Sequence, residues 1–150
     1  MPARRLNPDR LLAALNAQRA ALGTGPWDGP VTVAALGAAC VTAVIKAADA
    51  GAEPQREALR GAVIHTLGLL EATAPGRAVE VRVPPFAAIQ CVPGPRHTRG
   101  TPPNVVETDG LTWIMLAAGR TDWASAVASG AVTASGQRAD VSAYLPIGPG

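Results

Sequence analysis

The sequence predicts a mixed α and β fold of 150 residues, in which a helical N-terminal leader (1–76) precedes an α/β core (77–147). Apolar residues recur at helical spacing through the leader, as in helices with one buried face. From Val79 onward they alternate with polar residues, which is the pattern of a strand with one buried face. Hydrophobic residues make up 48% of the chain, so we expect a single domain around one core.

Three helices are predicted in the leader, over residues 9–23, 31–50 and 54–74. Asn7 or Asp9 can cap the first helix, and Gly23 ends it. Gly51 ends the second helix. Pro54 suits the first turn of the third helix, because the missing N–H has no helical partner there.

Four strands are predicted in the core, over residues 79–83, 86–92, 104–108 and 131–134. The short connection at Pro84-Pro85 favours an antiparallel pairing of the first two strands. Asp109 is expected to cap a helix over 110–119, and Thr121 or Asp122 to cap another over 123–130. A last helical turn or two is predicted over 138–144.

The composition excludes several classes of function. The net charge is only +2 and is evenly spread, so a nucleic-acid partner is not expected. The uncharged stretch 31–45 is shorter than a membrane-spanning helix, and the N-terminal arginines precede no apolar run, which argues against a signal peptide. We therefore expect a cytoplasmic protein without a membrane span. Aromatic residues make up only 3% of the chain, so each one is expected to be a packing anchor.

No motif for metal binding or catalysis is found in the sequence. Cys40 and Cys91 lie among apolar residues and are interpreted as reduced, buried side chains. His65 and His97 have no ligand-like spacing to either cysteine, and no serine lies in a GxSxG context. We expect neither a metal nor another cofactor, and no enzymatic activity.

The C-terminal half carries an ordered pattern: a strand followed by an acidic residue, a helix, a Gly-Arg pair, a second helix ending in glycine, and a final strand. Its residues are Val106, Asp109, Trp113, Leu116, Gly119, Arg120, Trp123, Ala126, Ser129, Gly130, Val132, Ser135, Gly136 and Leu145. In order and spacing, residues 77–147 resemble the sterol-carrier-protein-like family, most closely its actinobacterial branch of bacterial sterol carrier orthologs. The same module is similar to the C-terminal domain of mycothiol-dependent maleylpyruvate isomerases.

The resemblance implies a curved, mainly antiparallel sheet of four to five strands with helices packed on one face. It also implies that a fatty acyl chain, an acyl-CoA or a sterol binds between sheet and helices without covalent chemistry. The predicted ligand-binding residues on the apolar walls are Val79, Val81, Phe86, Ile89, Trp113, Met115, Leu116 and Trp123. A basic cluster in the proline-rich loop 93–103, where a polar head would emerge, consists of Arg96, His97 and Arg99.

Each of these groups has an alternative interpretation. The apolar residues could simply be the core of an aromatic-poor domain, and the basic cluster could be a solvated loop paired with nearby acids. The chain would then be an interaction or regulatory protein that keeps the fold with a filled cavity and acts through a homodimer or partner surface, particularly helix 31–50. A third hypothesis, an enzyme related to thiol-dependent isomerases, is the weakest. The metal-binding helical domain of those enzymes uses several histidines and acids, whereas residues 1–76 offer only His65.

Overall fold

The computed structural model describes residues 5–94 and 104–147 of the chain. In these residues the elements are α1 (Pro8–Ala21), α2 (Val33–Asp49), α3 (Arg56–Thr73), β1 (Val79–Val83), β2 (Ala87–Cys91), β3 (Asn104–Thr108), α4 (Gly110–Ala117), α5 (Trp123–Ala128), β4 (Val132–Ser135) and a 3-10 turn (Ser142–Tyr144). The predicted order of a helical leader followed by a mixed core is therefore confirmed.

Side chains at the helix starts explain where the leader helices begin. The Asn7 side chain caps α1 by accepting a hydrogen bond from the backbone N–H of Arg10 (3.1 Å). Thr32 caps α2, so this helix begins two residues later than expected. The start of α3 is also later than predicted. Gln55 offers no capping side chain, but its own N–H donates to the Gln18 side-chain oxygen at 2.7 Å.

The four strands form one sheet in the order β2-β1-β3-β4. β1 pairs with β2 and β3 pairs with β4 in antiparallel fashion, whereas β1 and β3 run parallel. The prediction of a mainly antiparallel sheet of four strands is therefore confirmed, with one parallel pairing at its centre. The parallel pairing arises because β2 ends and β3 begins at the same end of the sheet, beside Val79, on opposite sides of β1. β3 therefore runs opposite to β2 and in the same direction as β1.

The two faces of the sheet differ in polarity and burial. In β1, Val79, Val81 and Val83 are buried, whereas Glu80 and Arg82 on the opposite face are partly exposed and form an ion pair with each other. The face of the sheet that carries the three valines of β1 is the inner face. Its buried side chains and those of the helices α1–α5 belong to a single hydrophobic cluster. The core is therefore continuous from the leader into the sheet, and one cooperative domain stays a prediction.

Buried polar groups join the sheet to the segments around it. Asn104, at the start of β3, donates to the carbonyl of Ala78 (2.9 Å) and accepts from the N–H of Arg138 (3.0 Å). Thr108, at the end of β3, donates to the carbonyl of Ala131. Within the described residues, no helix is both long enough and apolar enough to cross a bilayer.

Candidate functional site

The inner face of the sheet forms one wall of the predicted ligand site. The strand register places Val81 between Ile89 on β2 and Val106 on β3. Directly opposite residues on neighbouring strands share a face, so these three side chains form one apolar row. Their exposed fractions are 0%, 1% and 1%. The wall is therefore continuous and fully covered by the packed chain.

Helices α3 and α4 cover this side of the molecule. α3 packs against β2, and α4 packs against α3. The Asp109 carboxylate caps α4 by accepting from the N–H of Thr112 (2.9 Å). This start places the neighbouring residues Trp113, Ile114, Leu116 and Ala117 in the interior.

Trp113 joins α4 to α3 through a polar contact inside the apolar layer. Its indole N–H donates to the Thr66 hydroxyl at 2.8 Å, and both side chains are buried. The Thr66 hydroxyl lies 2.8 Å from the carbonyl oxygen of Ala62, to which it donates in turn. Thr66 was missed in the sequence analysis above. The signal in the sequence is a threonine at helical spacing among the apolar residues of α3, because a buried hydroxyl there needs hydrogen-bond partners.

The predicted wall residues differ in how deeply they are buried. Val79, Val81, Ile89, Trp113 and Leu116 are each at most 2% exposed. Phe86 lies in the turn before β2 at 7% exposure, so β2 begins one residue later than predicted. Met115 and Trp123 are half-buried. The predicted basic cluster of Arg96, His97 and Arg99 lies outside the described residues.

A cation that the sequence analysis did not single out, Arg56, lies beside the apolar layer. The Arg56 guanidinium sits over the Phe86 ring, 5.5 Å from its centroid. A side chain in place of Gly110, at the start of α4, would crowd the same ring. Arg56 and Phe86 meet only through tertiary packing, so neither helical periodicity nor strand alternation could have paired them.

The residues that carry the family resemblance have structural roles in this fold. Asp109 caps α4, and Asp122, which precedes Trp123 of the pattern, caps α5. Gly119 and Gly130 follow those helices with φ of +75° and +81°, a conformation that favours glycine. Arg120 forms an exposed ion pair with Asp49 of α2. The pattern therefore identifies a fold and not a reaction.

Burial disfavours the charged forms of three titratable side chains. Burial raises the pKa of the Cys40 thiol to about 11. Burial, together with the nearby Glu71 carboxylate, raises the pKa of Cys91 to about 11. Burial also lowers the pKa of His65. Across residues 5–94 and 104–147, no group of three or more His, Cys, Asp or Glu side chains could hold a metal ion.

The comparison with known families agrees with this architecture. Residues 55–147 match the family described as bacterial SCP ortholog, SCP standing for sterol carrier protein. Because the match covers more than half of the chain, the protein belongs to this sterol-carrier-like family. The match begins upstream of the segment from which the resemblance was drawn, and it includes α3, while α1 and α2 lie outside it. No curated protein matches the chain significantly.

Proposed function

We propose that the chain is a non-enzymatic binding protein that holds an apolar ligand between the sheet and helices α3 and α4. The ligand class is a fatty acyl chain, an acyl-CoA or a sterol-like molecule. The observation that carries the proposal is the continuous apolar layer of Val81, Ile89 and Val106 on one side and Trp113 and Leu116 on the other. This layer lies wholly within the part of the chain that matches the sterol-carrier-like family.

The energy for such binding comes from desolvation of the ligand. Burying about ten methylene groups contributes roughly 8 kcal/mol, which is about the free energy of a micromolar complex before ordering costs. The wall residues belong to one buried hydrophobic cluster, so the ligand has to open this layer to enter. Phe86, at the edge of the layer, marks a place for the acyl chain to end. Arg56 over its ring supplies a cation for a carboxylate or phosphate head.

Catalysis is not part of this proposal. A thiol with a pKa of about 11, as at Cys40 and Cys91, is almost wholly protonated near neutral pH and is a poor nucleophile. His65 has no carboxylate hydrogen bond to orient it among the described residues. The protein would therefore carry or present its ligand unchanged.

Native mass spectrometry of freshly purified protein tests the proposal. We expect adducts with the mass of an acyl or sterol-like molecule, released on denaturation and identified in the extract. Ile89→Phe, which fills the inner face, should remove the adduct, while Gln90→Phe, on the outer face of the same strand, should retain it. Both variants must first give the circular dichroism of the folded protein. The proposal fails if the wild type carries no adduct and saturating fatty acid or sterol changes neither tryptophan fluorescence nor melting temperature.

A second candidate function is favoured by the depth of burial of the wall. Val79, Val81 and Trp113 are each 0% exposed, so the chain's own side chains occupy the layer. The fold would then be a scaffold, and the protein would act through a homodimer or partner surface. In that case purified protein contains no ligand, and Ile89→Phe and Gln90→Phe differ in stability but not in any bound mass.

A further inference from the structure

A concave site lies on the helical leader, away from the apolar layer. It is a groove of about 410 Å³ between the C-terminal end of α1, the loop 23–30 and α2. This volume falls in the range of small-molecule sites in proteins. The α2 wall presents small residues at helical spacing: Ala35, Ala38, Ala39, Thr42 and Ala43. These residues precede the family-matched segment 55–147, so the groove is a feature separate from the sterol-carrier-like core.

The opposite wall of the groove is held rigidly around Trp27. Its backbone N–H donates to the Asn16 side chain at 2.8 Å, and its indole N–H donates to the carbonyl of Pro30 at 2.9 Å. Gly29 packs so closely against the indole that a side chain there would collide with the ring. Two of these contacts hold the indole ring and one holds its backbone before a ligand binds, which lowers the ordering cost of binding.

The charged side chains that line the groove are both positive. Arg19 and Lys46 line it, and no acidic residue does. Arg19 Nε donates to the carbonyl of Gly25 (2.7 Å), and the guanidinium lies 5.7 Å from the centroid of the Trp27 ring. The guanidinium keeps its terminal N–H groups available, because each arginine carries five donors. Lys46 is exposed, and it takes part in none of the ion pairs found among the described residues.

We propose that this groove binds a small amphipathic anion, with a carboxylate or phosphate head at Arg19 and Lys46 and an apolar body along the alanine wall of α2. Charge complementarity selects this occupant. A second copy of the chain docked by the same groove would bring two pairs of cations together, since a two-fold interface places the same patch on both sides. The apolar walls and the limited volume select a short amphiphile over a free inorganic anion.

The sequence offers a selective reporter for this site, because Lys46 is the only lysine. Reductive ¹³C-methylation of the full chain keeps the charge and labels Lys46 and the α-amino group. Octanoate, octyl phosphate, octanol and inorganic phosphate are then titrated separately. We expect saturable shifts of the Lys46 resonance with octanoate or octyl phosphate, with a constant α-amino resonance. Comparison of these two ligands distinguishes a carboxylate head from a phosphate head.

Variants separate the groove from the apolar layer. Arg19→Gln should weaken the anion by about tenfold or more, the loss of a hydrogen bond to a charged group. Ala39→Leu should block the groove, while Ala34→Leu, exposed on α2 outside the lining, should not. Ile89→Phe should leave the titration unchanged even if it abolishes ligand binding in the core.

Several outcomes would overturn the proposal. They are equal responses to octanol and octanoate, a full response to inorganic phosphate alone, loss of the Lys46 shift in Ile89→Phe, or a Lys46 shift that follows protein dilution instead of ligand.

Discussion

The hydrogen bond between Trp113 and Thr66 gives the most direct test of how α4 is held against α3. Thr66→Val keeps the side-chain volume but removes the acceptor of the indole N–H, which is 2.8 Å away in a fully buried site. An unsatisfied buried donor costs about 1–3 kcal/mol. Trp113→Phe removes that donor and part of the ring, which we expect to cost about 2 kcal/mol, less than the roughly 3–5 kcal/mol of a full truncation to alanine.

The double variant separates these two effects. In the Trp113→Phe protein no indole N–H is left to orphan, so the further change Thr66→Val should cost almost nothing. The double-mutant cycle should therefore give a coupling of about 1–3 kcal/mol, the penalty of the orphaned donor. Urea unfolding followed by far-UV circular dichroism supplies the four free energies of unfolding. Thr42→Val is the control, because its exposed hydroxyl only back-bonds to Ala38 (3.3 Å), and it should lie within about 0.5 kcal/mol of wild type.

One result would refute this reasoning. If Thr66→Val lowers the free energy of unfolding by the same amount, within about 0.5 kcal/mol, in the wild-type and Trp113→Phe backgrounds, the two side chains are energetically independent. The contact between α3 and α4 would then depend on apolar packing alone.

Three further outcomes are expected. Gly68→Ala should stabilise the protein by about 1 kcal/mol, because a Cβ at Gly68 meets no atom within 4 Å. Gly37→Ala should destabilise it in the same urea assay, since its Cβ would overlap the His65 ring. Equal changes in the free energy of unfolding for the two variants would contradict the packing. Burial lowers the pKa of His65 from 6.5, so the unfolded chain binds the proton first as the pH falls below 6.5. The free energy of unfolding should then decline until the pH passes the lowered pKa. Unfolding measured against pH should lose this slope in His65→Gln, and an unchanged slope would assign it to other groups. Trp123→Ala should cost about 2 kcal/mol, less than truncation of the fully buried Trp113, because Trp123 is half-buried; calorimetry giving equal losses for the two would contradict this ranking.

The order of elements was predictable from local signals in the sequence. Capping residues such as Asn7 and Asp109 and stop signals such as Gly23 and Gly119 act within a few residues of themselves, so their effect can be read without the rest of the chain. The alternation of Val79, Val81 and Val83 likewise predicted one buried sheet face. The resemblance drawn from the spacing of core residues was confirmed by the family match.

The starts of α2 and α3 were predicted less accurately. Thr32 was not recognised as a cap. At α3 the N-terminal backbone is satisfied by Gln18, thirty-seven residues earlier in the chain, and no local pattern contains that partner. The parallel pairing of β1 with β3 could not be read locally either, because it depends on which side of β1 the later strand joins the sheet.

The candidate sites show the same division between local and tertiary information. Sequence by itself determined which residues are apolar, which are charged and which of them share a helix or strand face, because these properties belong to single residues and short-range periodicity. Only the tertiary structure decided that Thr66 accepts from Trp113, that Arg56 covers Phe86, and that Arg19, Trp27 and Lys46 share one groove. These pairings join residues separated along the chain, and their partners are chosen by the packing of whole elements against one another.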